Sequence, residues 1–97
     1  MAANAGAVTK VLKNAGFIKA EWKKVGVSVL NEGFLTNAEA DGSGTVSWEF
    51  VGEVDVFEKS RMEFILSDIS LILTNAGYTV KPRHFFDAEQ YLEVRRA

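Results

Sequence analysis

The residue pattern predicts an α+β domain, a small antiparallel sheet of three to five strands with two helices, about residues 5–15 and 57–76, packed on one face. Three observations carry that expectation. Apolar residues recur at helical spacing in two stretches, they alternate with polar residues in the segments between and after them, and glycine-rich turns punctuate the chain. The order is helix, strands, helix, strands. Ninety-seven residues, 47% of them hydrophobic and 25% charged, suffice for one core, so the chain reads as a single domain, 1–97.

The first helix starts at Asn4, a residue suited to N-capping, and sets Val8, Val11, Leu12 and Ala15 on one stripe. Gly16 should end it in the left-handed conformation, with Phe17 folding back on the last turn. Val25 to Leu30 is rich in β-formers and reads as a strand, followed by a turn at Asn31-Glu32-Gly33. Phe34 to Asn37 and Val46, Trp48 and Phe50 form a hairpin around Asp41-Gly42-Ser43-Gly44. The second helix is the strongest signal. Met62, Ile65, Leu66, Ile69, Ile72, Leu73 and Ala76 lie on one stripe, Asp55 and Glu58 complement the dipole at its start, and Gly77-Tyr78 repeats the stop of Gly16-Phe17. Tyr78 to Arg83 and Tyr91 to Arg95 supply the last strands, with Pro82 ending its strand or placing it at a sheet edge.

The two helix stops match closely. Val8-x-x-x-Leu12-x-Asn14-Ala15-Gly16-Phe17 and Ile69-x-x-x-Leu73-x-Asn75-Ala76-Gly77-Tyr78 reflect either a duplication or one local solution used twice. Together with Gly33-Phe34, Val46-x-Trp48 and Leu92-x-Val94-Arg95, the pattern resembles that of a class of small α+β proteins of actinobacteria and their phages. The resemblance implies the fold and such an origin. It implies no activity, because the matching residues are structural.

Several chemistries are excluded by composition. No cysteine is present, which removes disulfides, thiolate metal sites and cysteine nucleophiles. No apolar stretch approaches the ~20 residues of a membrane span and Met1 to Gly6 lacks the order of a secretory signal, so a cytoplasmic location is expected, with no membrane partner. Asp41 to Phe50 looks like part of a calcium loop, but the alignment puts Phe50 where a bidentate glutamate is needed. His84, the lone histidine, stands among Lys81 and Arg83, neighbours that oppose a metal ion, and no triad partner is recognisable. The carboxylate pairs Glu53 with Asp55 and Asp87 with Glu89 sit in polar segments without an apolar pocket to split their acidities. Small toxin RNases of similar element order carry a histidine in the strand after the first helix, where Trp22 to Leu30 has none. No cofactor, no metal and no enzymatic activity are expected.

Binding remains. Phe64 and Leu71 form a second apolar line seven residues apart on the long helix, either an interface or a surface covered by a wrapping sheet. With Phe85, Phe86 and Tyr91 they are the candidate contact residues for a host or phage protein or for a homodimer. The alternative is nucleic acid. The net charge is −2, but Lys10 to Lys24 holds five lysines against Glu21 and Val25 to Asp68 holds nine acids against Lys59 and Arg61. If the last strands lie beside the first helix, Lys10, Lys13, Lys19, Lys23, Lys24, Arg83 and Arg95 make a basic face with aromatic neighbours.

Overall fold

The computed structural model describes residues 5–22, 29–39, 41–51, 55–84 and 90–96. The elements run α1 (Ala5–Asn14), β1 (Glu21–Trp22), β2 (Val29–Asn31), β3 (Gly33–Ala38), β4 (Gly44–Glu49), α2 (Val56–Asn75), β5 (Tyr78–His84) and β6 (Gln90–Arg96). The expected α+β architecture is present. Four strands form one antiparallel sheet in the order β3-β4-β6-β5, and β1 pairs with β2 separately. Of the expected strand over Val25 to Leu30, Val29 and Leu30 lie in β2; residues 23–28 and the expected cap Asn4 lie outside the described residues.

Strand parity decides what is buried. Phe34, Val46, Trp48, Leu92 and Val94 fall on one face of the sheet, where Val8 and Leu12 of α1 and Met62, Leu66, Ile69 and Leu73 of α2 close over them. Each such side chain, at 0–9% exposure, contributes on the order of 1.5–3 kcal/mol through the apolar surface it removes from water. Trp48 also takes the Phe17 ring edge-on, centroids 6.2 Å apart. α2 begins where the Asp55 carboxylate accepts the Glu58 amide at 2.8 Å, which satisfies one of the first-turn donors.

Both helix stops form as their residues dictate. Gly16 (φ 96°) donates to the Lys13 carbonyl and Phe17 to that of Leu12, each at 3.0 Å, the paired bonds of a Schellman motif. Gly77 (φ 98°) donates to the Thr74 carbonyl at 3.1 Å. The chain then takes different paths. Tyr78 opens β5 directly, whereas Ile18 to Ala20 run parallel to the outer edge of β3, joined by Ala20 N to Phe34 O and Phe34 N to Ile18 O. Pro82 is on β5, an edge strand, where a residue without an amide proton is tolerated.

The crossing at Gly33 has no room for a side chain. A Cβ there would lie 2.3 Å from the Ile18 carbonyl oxygen, 2.5 Å from Ala20 N and 2.7 Å from Lys19 C, all backbone atoms that cannot swing aside. Gly33→Ala should therefore cost about 3 kcal/mol, the upper end of overpacking penalties. Gly16→Ala, with open space around its Cβ but a positive φ, should cost ~1–2 kcal/mol. Urea unfolding of the two variants checks the order; equal losses would mean that the crossing is not tight.

Candidate interaction surface

Among the described residues six large apolar side chains are exposed; Ile18 and Val51 stand apart, and the other four are on the solvent side of α2. Val56, Phe57, Phe64 and Leu71 are 76%, 85%, 75% and 62% exposed, while the opposite side of the same helix is sealed in the core. Of the two readings open for Phe64 and Leu71, the structure gives exposure, because the sheet lies entirely on the other side of the helix. Phe57 extends their line by one more step of seven. That spacing was present in the sequence and marks a residue the two-member line omits.

Tyr91, the one other member of the expected contact set among the described residues, does not join this surface. Tyr91 is half-buried and pairs with Ser47, so its parity puts it on the sheet face away from the helices, beside Leu92 which points to the core. Phe85 and Phe86 lie outside the described residues. Leu35, Asn37, Thr45, Ser47, Glu49 and Tyr91 of that far face line a groove of about 300 Å³ that also takes in Trp48, Met62 and Gln90 from the helix side. Its charged lining residues are Glu39 and Glu49, which repel phosphate.

The described members of the expected basic face do not share one side of the sheet. Lys10 and Lys13 are exposed on α1, on the helix side of the sheet, and Lys19 is exposed where the chain borders β3. Arg83 and Arg95 alternate with core positions on β5 and β6 and so project from the opposite face. They are also paired: Arg83 lies 3.4 Å from Glu93, and Arg95 lies 3.1 Å from Asp41 and 3.7 Å from Glu93. Lys23 and Lys24 lie outside the described residues. Lys10 and Arg96 do line one cleft, but Asn14, the last residue of α1, and Ala76, the C-cap of α2, line it too, and the carbonyl ends of the helices carry negative partial charge.

Two ionic features fix loops. Arg61 of α2 holds the Glu32 carboxylate in a bidentate pair, with Nη1 to Oε2 at 2.7 Å, and its guanidinium lies 5.0 Å from the centre of the Phe50 ring. The Arg61 hydrogen bonds hold the Glu32 carboxyl below its usual range. The indole nitrogen of Trp48 is close enough to add to that lowering, yet it is buried without a partner in hydrogen-bond geometry. At the β3–β4 turn, Asp41 accepts from Ser43 Oγ at 2.6 Å, Ser43 N at 3.0 Å and Arg95 at 3.1 Å. The calcium-like segment thus uses its first carboxylate to tie its own turn. His84, at the end of β5, is exposed, and among the described residues no three His, Asp or Glu side chains are grouped to hold a metal ion. Among those residues, no helix is long and apolar enough to cross a membrane. Of the carboxylate pairs, Asp55 caps α2, and Glu53, Asp87 and Glu89 lie outside the described residues.

The Asp41 bonds set a pH dependence. They lower its pKa from 3.8 to about 2, with the Ser43 hydroxyl the largest cause, so its stabilising contribution is complete above the unfolded value and disappears as pH falls through about 2. Thermal midpoints of the parent and Asp41→Asn should differ by a constant amount above about pH 5 and converge between pH 4 and pH 2. A gap unchanged at pH 2 would mean the carboxylate is not ionised in these bonds.

Compared with known proteins, the chain matches no protein-family model, no curated protein and no solved structure.

Proposed function

We propose that this is a non-enzymatic protein that works by protein–protein contact through the solvent side of α2. The observation that supports the reading best is the coincidence of Phe57, Phe64 and Leu71, each more than 60% exposed, on a helix whose other side is already committed to the core. Single exposed apolar residues are ordinary on protein surfaces; three in line, with Val56 beside the first, make an apolar stripe, a feature associated with interaction sites. An actinobacterial or phage origin and a cytoplasmic setting belong to the same reading and rest on the sequence resemblance and on the lack of a spanning stretch.

The nucleic-acid alternative has weaker support. Its arginines are engaged with Glu93 and Asp41 and face away from the lysines of α1, so no continuous groove of free cations is formed by the described residues. Anisotropy with a mixed-sequence labelled oligonucleotide should show no binding near 150 mM salt. Binding that weakens with a log–log slope of about −0.7 to −0.9 per phosphate contact would favour the alternative.

A photoreactive benzoylphenylalanine in place of Phe64 tests the main reading. In the cell that makes the protein it should form adducts with a polypeptide, while the same group at Thr79, exposed on the far sheet face, should not. Absence of adducts at Phe64, or equal adducts at both positions, would overturn it.

A further inference from the structure

We infer that the polypeptide covering this surface is a second copy of the chain, its α2 lying antiparallel to the first. This rests on the reading of α2 as a contact surface and adds the identity and orientation of the occupant.

The pattern on the exposed side is a two-heptad seam. Phe57, Phe64 and Leu71 repeat every seven residues, and Ser60, Ser67 and Thr74, all exposed, repeat three residues after each of them. Large side chains thus occupy one seam position and small hydroxyl side chains the other. At 100° per residue these six residues centre on the side of α2 opposite Met62, Leu66, Ile69 and Leu73. In an antiparallel pair, one copy's large position falls at the level of the partner's small one, so Phe64 sits over Ser67, Phe57 over Thr74 and Leu71 over Ser60. Every knob meets a gap. Thr74 already donates its hydroxyl to the Ser70 carbonyl at 2.8 Å, so it enters an apolar seam with its donor satisfied.

Charge selects the same orientation. Arg61 and Asp68 flank the seam on one side and Glu63 and Ser70 on the other. Antiparallel helices bring like flanks together, which places Arg61 of each copy near Asp68 of the other, two attractive contacts related by the two-fold axis. Parallel helices bring opposite flanks together and would set Glu63 against Asp68 twice. Arg61 uses two of its five N–H donors on Glu32 and its side chain is 47% exposed, so it can serve both partners.

The area fits a modest dimer. Two phenylalanines per copy, at roughly 150–250 Å² for each buried aromatic side chain, supply on the order of 600–1,000 Å². Leu71, Val56 and the seam hydroxyls bring the total near the ~1,200 Å² lower limit of a standard interface.

Sedimentation equilibrium from 5 to 200 µM, with circular dichroism on every variant, tests it. The parent should dimerise, and Phe64→Glu with Leu71→Glu, both at exposed positions, should be monomeric with an unchanged spectrum. Asp68→Lys gives opposite results for the two orientations: it should weaken an antiparallel dimer roughly three- to tenfold, as two exposed ion pairs change sign, and would strengthen a parallel one. A parent that stays monomeric at 200 µM, a dimer indifferent to the double glutamate variant, or a dimer strengthened by Asp68→Lys would each overturn the inference. If the parent is monomeric but benzoylphenylalanine at Phe64 still captures a different polypeptide, the antiparallel self-pair fails and the contact surface stands. If no polypeptide is captured, both fail.

Discussion

The two halves of the chain are joined in the sheet by four residue pairs, Gly44 with Val94 through Ser47 with Tyr91. Everything else is arranged across that seam. The hairpin of β3 and β4 and the hairpin of β5 and β6 bring their second strands together there, and the helix preceding each hairpin leans over its own half before meeting the other. Leu12 and Leu73, the residues at matching places in the two helix stops, are both fully buried. Without the β4–β6 pairing each half would be a helix over a two-stranded ribbon, too small to bury its apolar face.

The fold was legible because its determinants are local. The Gly16-Phe17 and Gly77-Tyr78 stops, the acidic start of α2 at Asp55 and Glu58, the β3–β4 turn and the alternation of Leu92 and Val94 all lie within a few residues of the structure they specify. The parallel run of Ile18 to Ala20 along β3 was not legible. It depends on a contact between segments some fifteen residues apart, and its signal is only the absence of a side chain at Gly33.

The surface was half legible. Helical spacing put Phe64 and Leu71 off the buried stripe, but whether a strand covered them depended on which side of α2 the sheet lies. Strand parity was readable on β6, yet placing Tyr91 and Arg95 relative to α1 and α2 required knowing which sheet face the helices occupy. That one bit of tertiary information separates Tyr91 from Phe64 and Arg95 from Lys10. The ion pairs of Arg83 and Arg95 likewise depend on strand neighbours that composition does not reveal.

Pro82 has a consequence for how this molecule can accumulate. An edge strand with free amides is a template on which sheets extend without limit, and β5 interrupts that template with a residue that has no amide proton and with Lys81 and Arg83 on either side. The opposite edge is occupied at Phe34 by Ile18 to Ala20. Growth by strand addition is therefore discouraged at both ends of the sheet, and four of the six large apolar side chains exposed among the described residues sit on one helix. A surface of that kind used by two copies about a two-fold axis is consumed by the first pairing and leaves nothing for a third, so concentration would fill closed pairs rather than build fibres.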